Sequence, residues 1–235
     1  MIAENVRLLR QRIARSCEKS GRSPEDVKLI CVTKTASIGD IEEVLKSEIR
    51  FLGENRVQDA LAKYVAIGNR AEWHLIGHLQ TNKAKDAVGM FSLIHSVDSV
   101  RLAGAIDKEA AKSGKVQDIL IQVNTSGEES KFGMPPGTAE NFIKEISIYP
   151  NIDIKGFMTI APEAADPETV RPYFRALREL RDRLNAKRST LNALQVLSMG
   201  MTNDFEIAIE EGSTMVRIGR AIFAKAQCQI SKDQF

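Results

Sequence analysis

The 235-residue chain has no pair of cysteines at metal-binding spacing. Its only three, Cys17, Cys31 and Cys228, stand far apart. A metal site built on Cys-x-x-Cys is therefore excluded, and an odd, scattered set of thiols fits a reducing compartment better than a disulfide framework. Nor does any run approach the ~20 apolar residues that a membrane-spanning helix needs. The N-terminal segment Val6-Arg-Leu-Leu-Arg-Gln-Arg-Ile13 is too polar for a secretory signal core. These absences lead to the expectation of a cytoplasmic protein. A net charge of +2, from 33 basic and 31 acidic residues, gives no electrostatic case for nucleic acid. The Gly-x-Gly-x-x-Gly fingerprint of dinucleotide-binding sheets is missing after the first strand, and no internal repeat or Pro/Gly-rich linker divides the chain.

What is present is alternation. The stripe Val6, Leu9, Ile13, Cys17 predicts a helix over 3–20, stopped by Gly21. Short apolar runs then recur at 28–33, 49–52, 72–76, 91–94, 118–123, 152–157, 194–197 and 214–218, with helical patterns between them. The clearest helix, 168–187, carries Val170, Phe174, Leu177, Leu180 and Leu184 on one face. Eight such repeats predict an α/β fold: a parallel (β/α)8 TIM barrel with an extra N-terminal helix, one domain over 1–235 with 225–235 as a frayed tail. An open doubly wound sheet is the runner-up.

Barrels carry their chemistry where the strands end. Those positions here read Lys34, Asn55, His74 to Gln80, His95, Asn124, Met158, Ser198 and Arg217 to Arg220, and all three histidines fall among them. Lys34 follows the buried run Leu29-Ile-Cys-Val-Thr33. A stem in the core with its amine at a desolvated rim suits Schiff-base chemistry; a snorkelling lysine is the plainer alternative. Ser198-Met-Gly-Met-Thr202 and Gly219-Arg220 offer hydroxyls and bare backbone for a phosphate, or simply two tight turns. Arg217 alternates with Ile218 and is expected to face the barrel mouth, held by a ligand or by an internal carboxylate such as Glu54. Lys131 and Phe132 read equally as a lid anchor or a packed loop. No carboxylates are spaced to converge with the histidines, so no metal is expected. A strand-one lysine facing a phosphate site suggests a phosphorylated carbonyl, either pyridoxal phosphate or a sugar phosphate.

Seven ordered segments carry a resemblance: Val32-Thr-Lys-Thr35, Gly53-Glu-Asn-Arg-Val-Gln58, Trp73-His-Leu-Ile-Gly-His-Leu-Gln-Thr-Asn-Lys83, His95-Ser-Val-Asp98, Gly156-Phe-Met-Thr-Ile-Ala-Pro162, Ser198-Met-Gly-Met201 and Val216-Arg-Ile-Gly219. From the first helix to Phe223 the chain resembles the pyridoxal phosphate homeostasis proteins, single-domain proteins with an alanine racemase-like barrel. The resemblance implies that Lys34 holds pyridoxal 5'-phosphate as a Schiff base. It implies that Ser198, Gly219 and Arg220 hold the phosphate with Thr202 close by, that Arg217 faces the pyridine nitrogen, and that Asn55 and His74 line the pocket. Thr202 stands where a serine is usual and Ala224 where a glycine is common. Alanine racemases add a tyrosine base from a separate domain, which has no counterpart here. The expectation is therefore a monomeric carrier in vitamin B6 and amino-acid homeostasis, with apo pyridoxal phosphate enzymes as acceptors. A racemase or lyase acting on small amino acids is the alternative, and a cofactor-free aldolase a third.

Overall fold

The computed structural model describes residues 1–187 and 193–224. The expected tail at 225–235, with Cys228, lies outside the described residues. The order is α1 (Ile2–Lys19), β1 (Lys28–Val32), α2 (Ile38–Lys46), β2 (Phe51–Glu54), α3 (Val57–Ile67), β3 (Glu72–Leu75), α4 (Ala84–Met90), β4 (Leu93–Val97) and α5 (Val100–Lys112). It continues with β5 (Gln117–Gln122), α6 (Ala139–Ile146), β6 (Ile152–Met158), α7 (Arg171–Lys187), β7 (Val196–Ser198), α8 (Phe205–Glu210), β8 (Met215–Ile218) and α9 (Arg220–Phe223). All eight strands pair in parallel in chain order, and β1 pairs with both β2 and β8 to close the barrel. The (β/α)8 barrel with a leading helix is thus the fold.

Two apolar layers hold it. Ile30, Leu93, Leu120, Met158 and Met215 fill the inside of the barrel. The larger core lies between strands and helices and includes the α1 stripe Val6, Leu9, Ile13 and Cys17, all buried. Helix α1 packs on α2, α8 and α9. Asn5 Nδ2 donates to the carbonyls of Ile222 and Ala224 at 2.9 and 3.0 Å, tying the first helix to the last. Helix α2 starts on a capping box, in which Ser37 Oγ accepts from Asp40 N and the Asp40 carboxylate accepts from Ser37 N.

β2, β4 and β7 run later than their apolar runs suggest. β2 takes in Gly53 and Glu54, β4 takes in His95 and Ser96, and β7 reaches Ser198. For β4 and β7 the inward positions His95 and Ser198 are polar, and for β2 the last residues are a glycine and an outward, helix-bonded Glu54, so hydrophobicity stops before the strand does. Gly53 is in-strand because there is no space beside it: a Cβ there would lie 2.9 Å from Ile30 Cγ2.

Candidate functional site

At the C-terminal end of the barrel lies a cavity of about 520 Å3, lined among others by Lys34, Lys131, Glu163, Thr202, Arg217, Gly219 and Arg220. Four cationic side chains therefore face one opening, from the segments following β1 and β5, from β8 and from the start of α9. Lys34 is the second residue of a tight turn closed by Ala36 N–H donating to Thr33 O at 2.9 Å. It is exposed, which corrects the desolvated rim setting expected for it: β1 ends at Val32, and the turn carries the amine out of the wall.

Beside Lys34, on the neighbouring strands, the segments after β7 and β8 present bare backbone. The N–H groups of Thr202, Asn203 and Arg220 have no acceptor among the described residues. Gly219 must be glycine, since a Cβ would meet Val32 O at 2.9 Å. Gly200 has φ +95 and would drive a Cβ to 2.6 Å from Ala208 Cβ. Asp204 Oδ1 accepts from Met201 N at 2.5 Å and shapes this turn; burial pushes its carboxyl up, against the pull of that N–H and of Arg217.

Arg217 is buried, with its guanidinium anchored on both sides. Nη1 donates to Ser198 Oγ at 2.7 Å and Nη2 to Thr159 O at 2.9 Å. Burial lowers its pKa to about 10, with Asp204 opposing, so it remains cationic at neutral pH. The internal partner considered for it, Glu54, is elsewhere: it faces outward and bonds Lys63 at 2.7 Å.

Below Arg217 a polar layer crosses the barrel. Ser198 Oγ lies 2.9 Å from His95 Nδ1, and His95 Nε2 lies 3.0 Å from His74 Nδ1. His74 and His95 are buried, and burial lowers the pKa of His74 to about 3 and that of His95 well below the ordinary value. The clustering of all three histidines at the rim is therefore corrected: only His78 stands there, stacked on Phe132 at 4.0 Å, while His74 and His95 are strand residues facing inward. Of the residues the resemblance assigns, Lys34, Thr202, Arg217, Gly219 and Arg220 share the cavity. His74 and Ser198 lie beneath it in the polar layer, and Asn55 is exposed beyond β2, against Gly77.

Residues 2–227 match the family described as the alanine racemase N-terminal domain. The pyridoxal phosphate homeostasis protein of Aquifex aeolicus is 46% identical over 223 residues, 94% of this chain and 97% of that one. PipY of Synechococcus elongatus, solved with PLP bound, is 33% identical with a TM-score of 0.83, over 95% of this chain and all (100%) of that chain. An alanine racemase of Clostridium difficile is 17% identical with a TM-score of 0.71 over 96% of this chain and 58% of its own, a likeness of fold.

Proposed function

The chain belongs to the family of the pyridoxal phosphate homeostasis proteins, and on that premise we propose that it binds pyridoxal 5'-phosphate through Lys34 and serves intracellular vitamin B6 and amino-acid homeostasis. The observation that carries this is the cavity at the barrel mouth, lined by the lysines Lys34 and Lys131, the anchored Arg217 guanidinium and the free backbone N–H groups of Thr202, Asn203 and Arg220. About 520 Å3 lies within the usual range for a small-ligand site, roughly 300–1,000 Å3. We take 1–235 as one cofactor-binding domain.

When bound, the cofactor supplies an aldehyde that condenses with a primary amine. Lys34 is that amine. The free N–H groups of Thr202, Asn203 and Arg220, with the Thr202 hydroxyl and the Arg220 charge, suit a phosphate, and Gly219, packed on Val32, lines the cavity beside them. Arg217 has donors only, so an atom facing it must accept; a pyridine nitrogen there is held unprotonated. That weakens the ring as an electron sink, which suits a holder of the cofactor more than a catalyst of many amino-acid reactions.

The carboxyls at the mouth are Glu163 and Asp204, and Asp204 is engaged by Met201 N–H. The three tyrosines stand on the outer side of the barrel: Tyr64 bonds Asn69, Tyr149 lies over Gly104, and Tyr173 packs on the outer core. This arrangement favours holding over turnover.

Titration with pyridoxal phosphate tests the reading. An absorption band near about 420 nm is expected, and Lys34→Ala should abolish it; a band that survives the substitution refutes the Lys34 assignment. Alpha-proton exchange of L-alanine in deuterated water, absent from Lys34→Ala, would instead make the protein an enzyme.

A further inference from the structure

Behind the turn that carries Lys34 lies a closed polar cluster that the cofactor site does not use. Glu54, the last residue of β2, is fully buried on the outer side of the barrel wall (0% exposed). Its Oε1 accepts from Thr33 Oγ1 at 2.6 Å and from Lys63 Nζ, on α3, at 2.7 Å. Lys63 Nζ donates a second bond, to Thr33 O, at 2.5 Å. Glu54 Oε2 has no partner among the described residues.

A buried ion pair with an unpartnered oxygen is poor value as a stabiliser, because desolvation cancels most of the attraction. Its geometry shows a different use. The Thr33 N–H donates to Gly53 O at 3.0 Å within the wall, and its other two polar groups are gripped from outside, the hydroxyl by Glu54 and the carbonyl by Lys63. That same carbonyl accepts from Ala36 N–H and closes the turn in which Lys34 is the second residue. The exposed Lys34 side chain takes no hydrogen bond of its own among the described residues, so no side-chain bond fixes its direction and the turn it leaves from orients its base.

We propose that Glu54 and Lys63 are positioning residues for Lys34. Held through Thr33, the turn aims the amine into the cavity it shares with Gly219 and Arg220 of the neighbouring strand; released, the turn frays and the amine samples other directions. The proposal rests on the cofactor reading above and adds to it two residues on the far side of the wall.

The test compares wild-type protein with Glu54→Met/Lys63→Met, which removes both charges together and leaves no lone buried ion. Three quantities are measured: amide hydrogen exchange at Ala36 without cofactor, the dissociation constant for pyridoxal phosphate, and the pH midpoint of the band near about 420 nm. The expected result is faster exchange at Ala36, binding weaker by about tenfold and a displaced pH midpoint. Leu102→Ala, a cavity in α5 away from the mouth, should lower the melting temperature without moving that midpoint. Should the double variant fail to fold, Thr33→Val carries the test: it removes the hydroxyl arm at constant shape, and Thr33→Ser should restore the wild-type midpoint. Ala36 exchange and a pH midpoint equal to wild type in the folded variant overturn the proposal. A wild-type protein that develops no band instead refutes the cofactor reading itself.

Discussion

Acidification from pH 7 to pH 5 should cost this protein a large part of its stability through two side chains. His74 and His95 are 3% and 0% exposed, and burial lowers His74 from its ordinary 6.5 to about 3. In the unfolded chain both imidazoles take up a proton below about 6.5; in the folded barrel they stay neutral until far lower. The unfolded state therefore binds more protons, so stability falls as pH falls, starting near 6.5 and levelling off only near the folded value. Each pH unit in that window costs about 1.4 kcal/mol per histidine. From 6.5 to 5 this is about 2 kcal/mol for His74, and His95, lowered by the same burial, adds to the loss in the same direction. Set against a typical total of about 5–15 kcal/mol, the loss is easily measured. Urea unfolding followed by far-ultraviolet circular dichroism at pH 5, 6 and 7 gives the slope. His74→Asn keeps a polar atom near the Nδ1 position and does not titrate, so it should make that slope shallower. A wild-type stability that is flat between pH 7 and 5, or a slope unchanged in His74→Asn, would refute the reasoning.

Three further substitutions have defined outcomes. Gly219→Ala places a methyl 2.9 Å from Val32 O, so pyridoxal phosphate binding measured by absorbance titration should weaken by at least about tenfold. Glu48 is the one described non-glycine residue with positive φ, at 61°, and Glu48→Gly should raise stability in urea by about 0.5–1 kcal/mol. Asn5→Ala leaves the Ile222 and Ala224 carbonyls without their donor; a loss of about 1–3 kcal/mol is expected in the same assay, with faster amide exchange in α9.

The architecture was legible because it depends on apolar periodicity: the α1 stripe, the eight runs and their order needed no long-range information. Strand ends were less legible. His95 lies two residues after Leu93, so both face inward, but polarity there looked like the end of a strand. The same error hid the role of the Ser198 hydroxyl, which bonds to His95 and Arg217. Lys34 was recognisable from its place after a buried run, whereas its exposure depended on where β1 gives way to a turn. Lys63 carried no signal at all: its partner Glu54 lies on a different element, and only the wrapping of α3 over the wall brings the two together with Thr33.

The pairing of β1 with β8 has a consequence for how the protein is made. The amine at the mouth comes from residue 34, while Arg217, Gly219 and Arg220 come from nearly two hundred residues later, and β1 cannot gain its second neighbour until β8 exists. Contacts of such sequence separation form slowly and late. A growing chain thus carries Lys34 on a sheet that is not yet closed, and the residues after β8 that share its cavity arrive only with that strand. Competence to take up the ligand should appear in one step once β8 has been made and paired with β1, with nothing retained by shorter products.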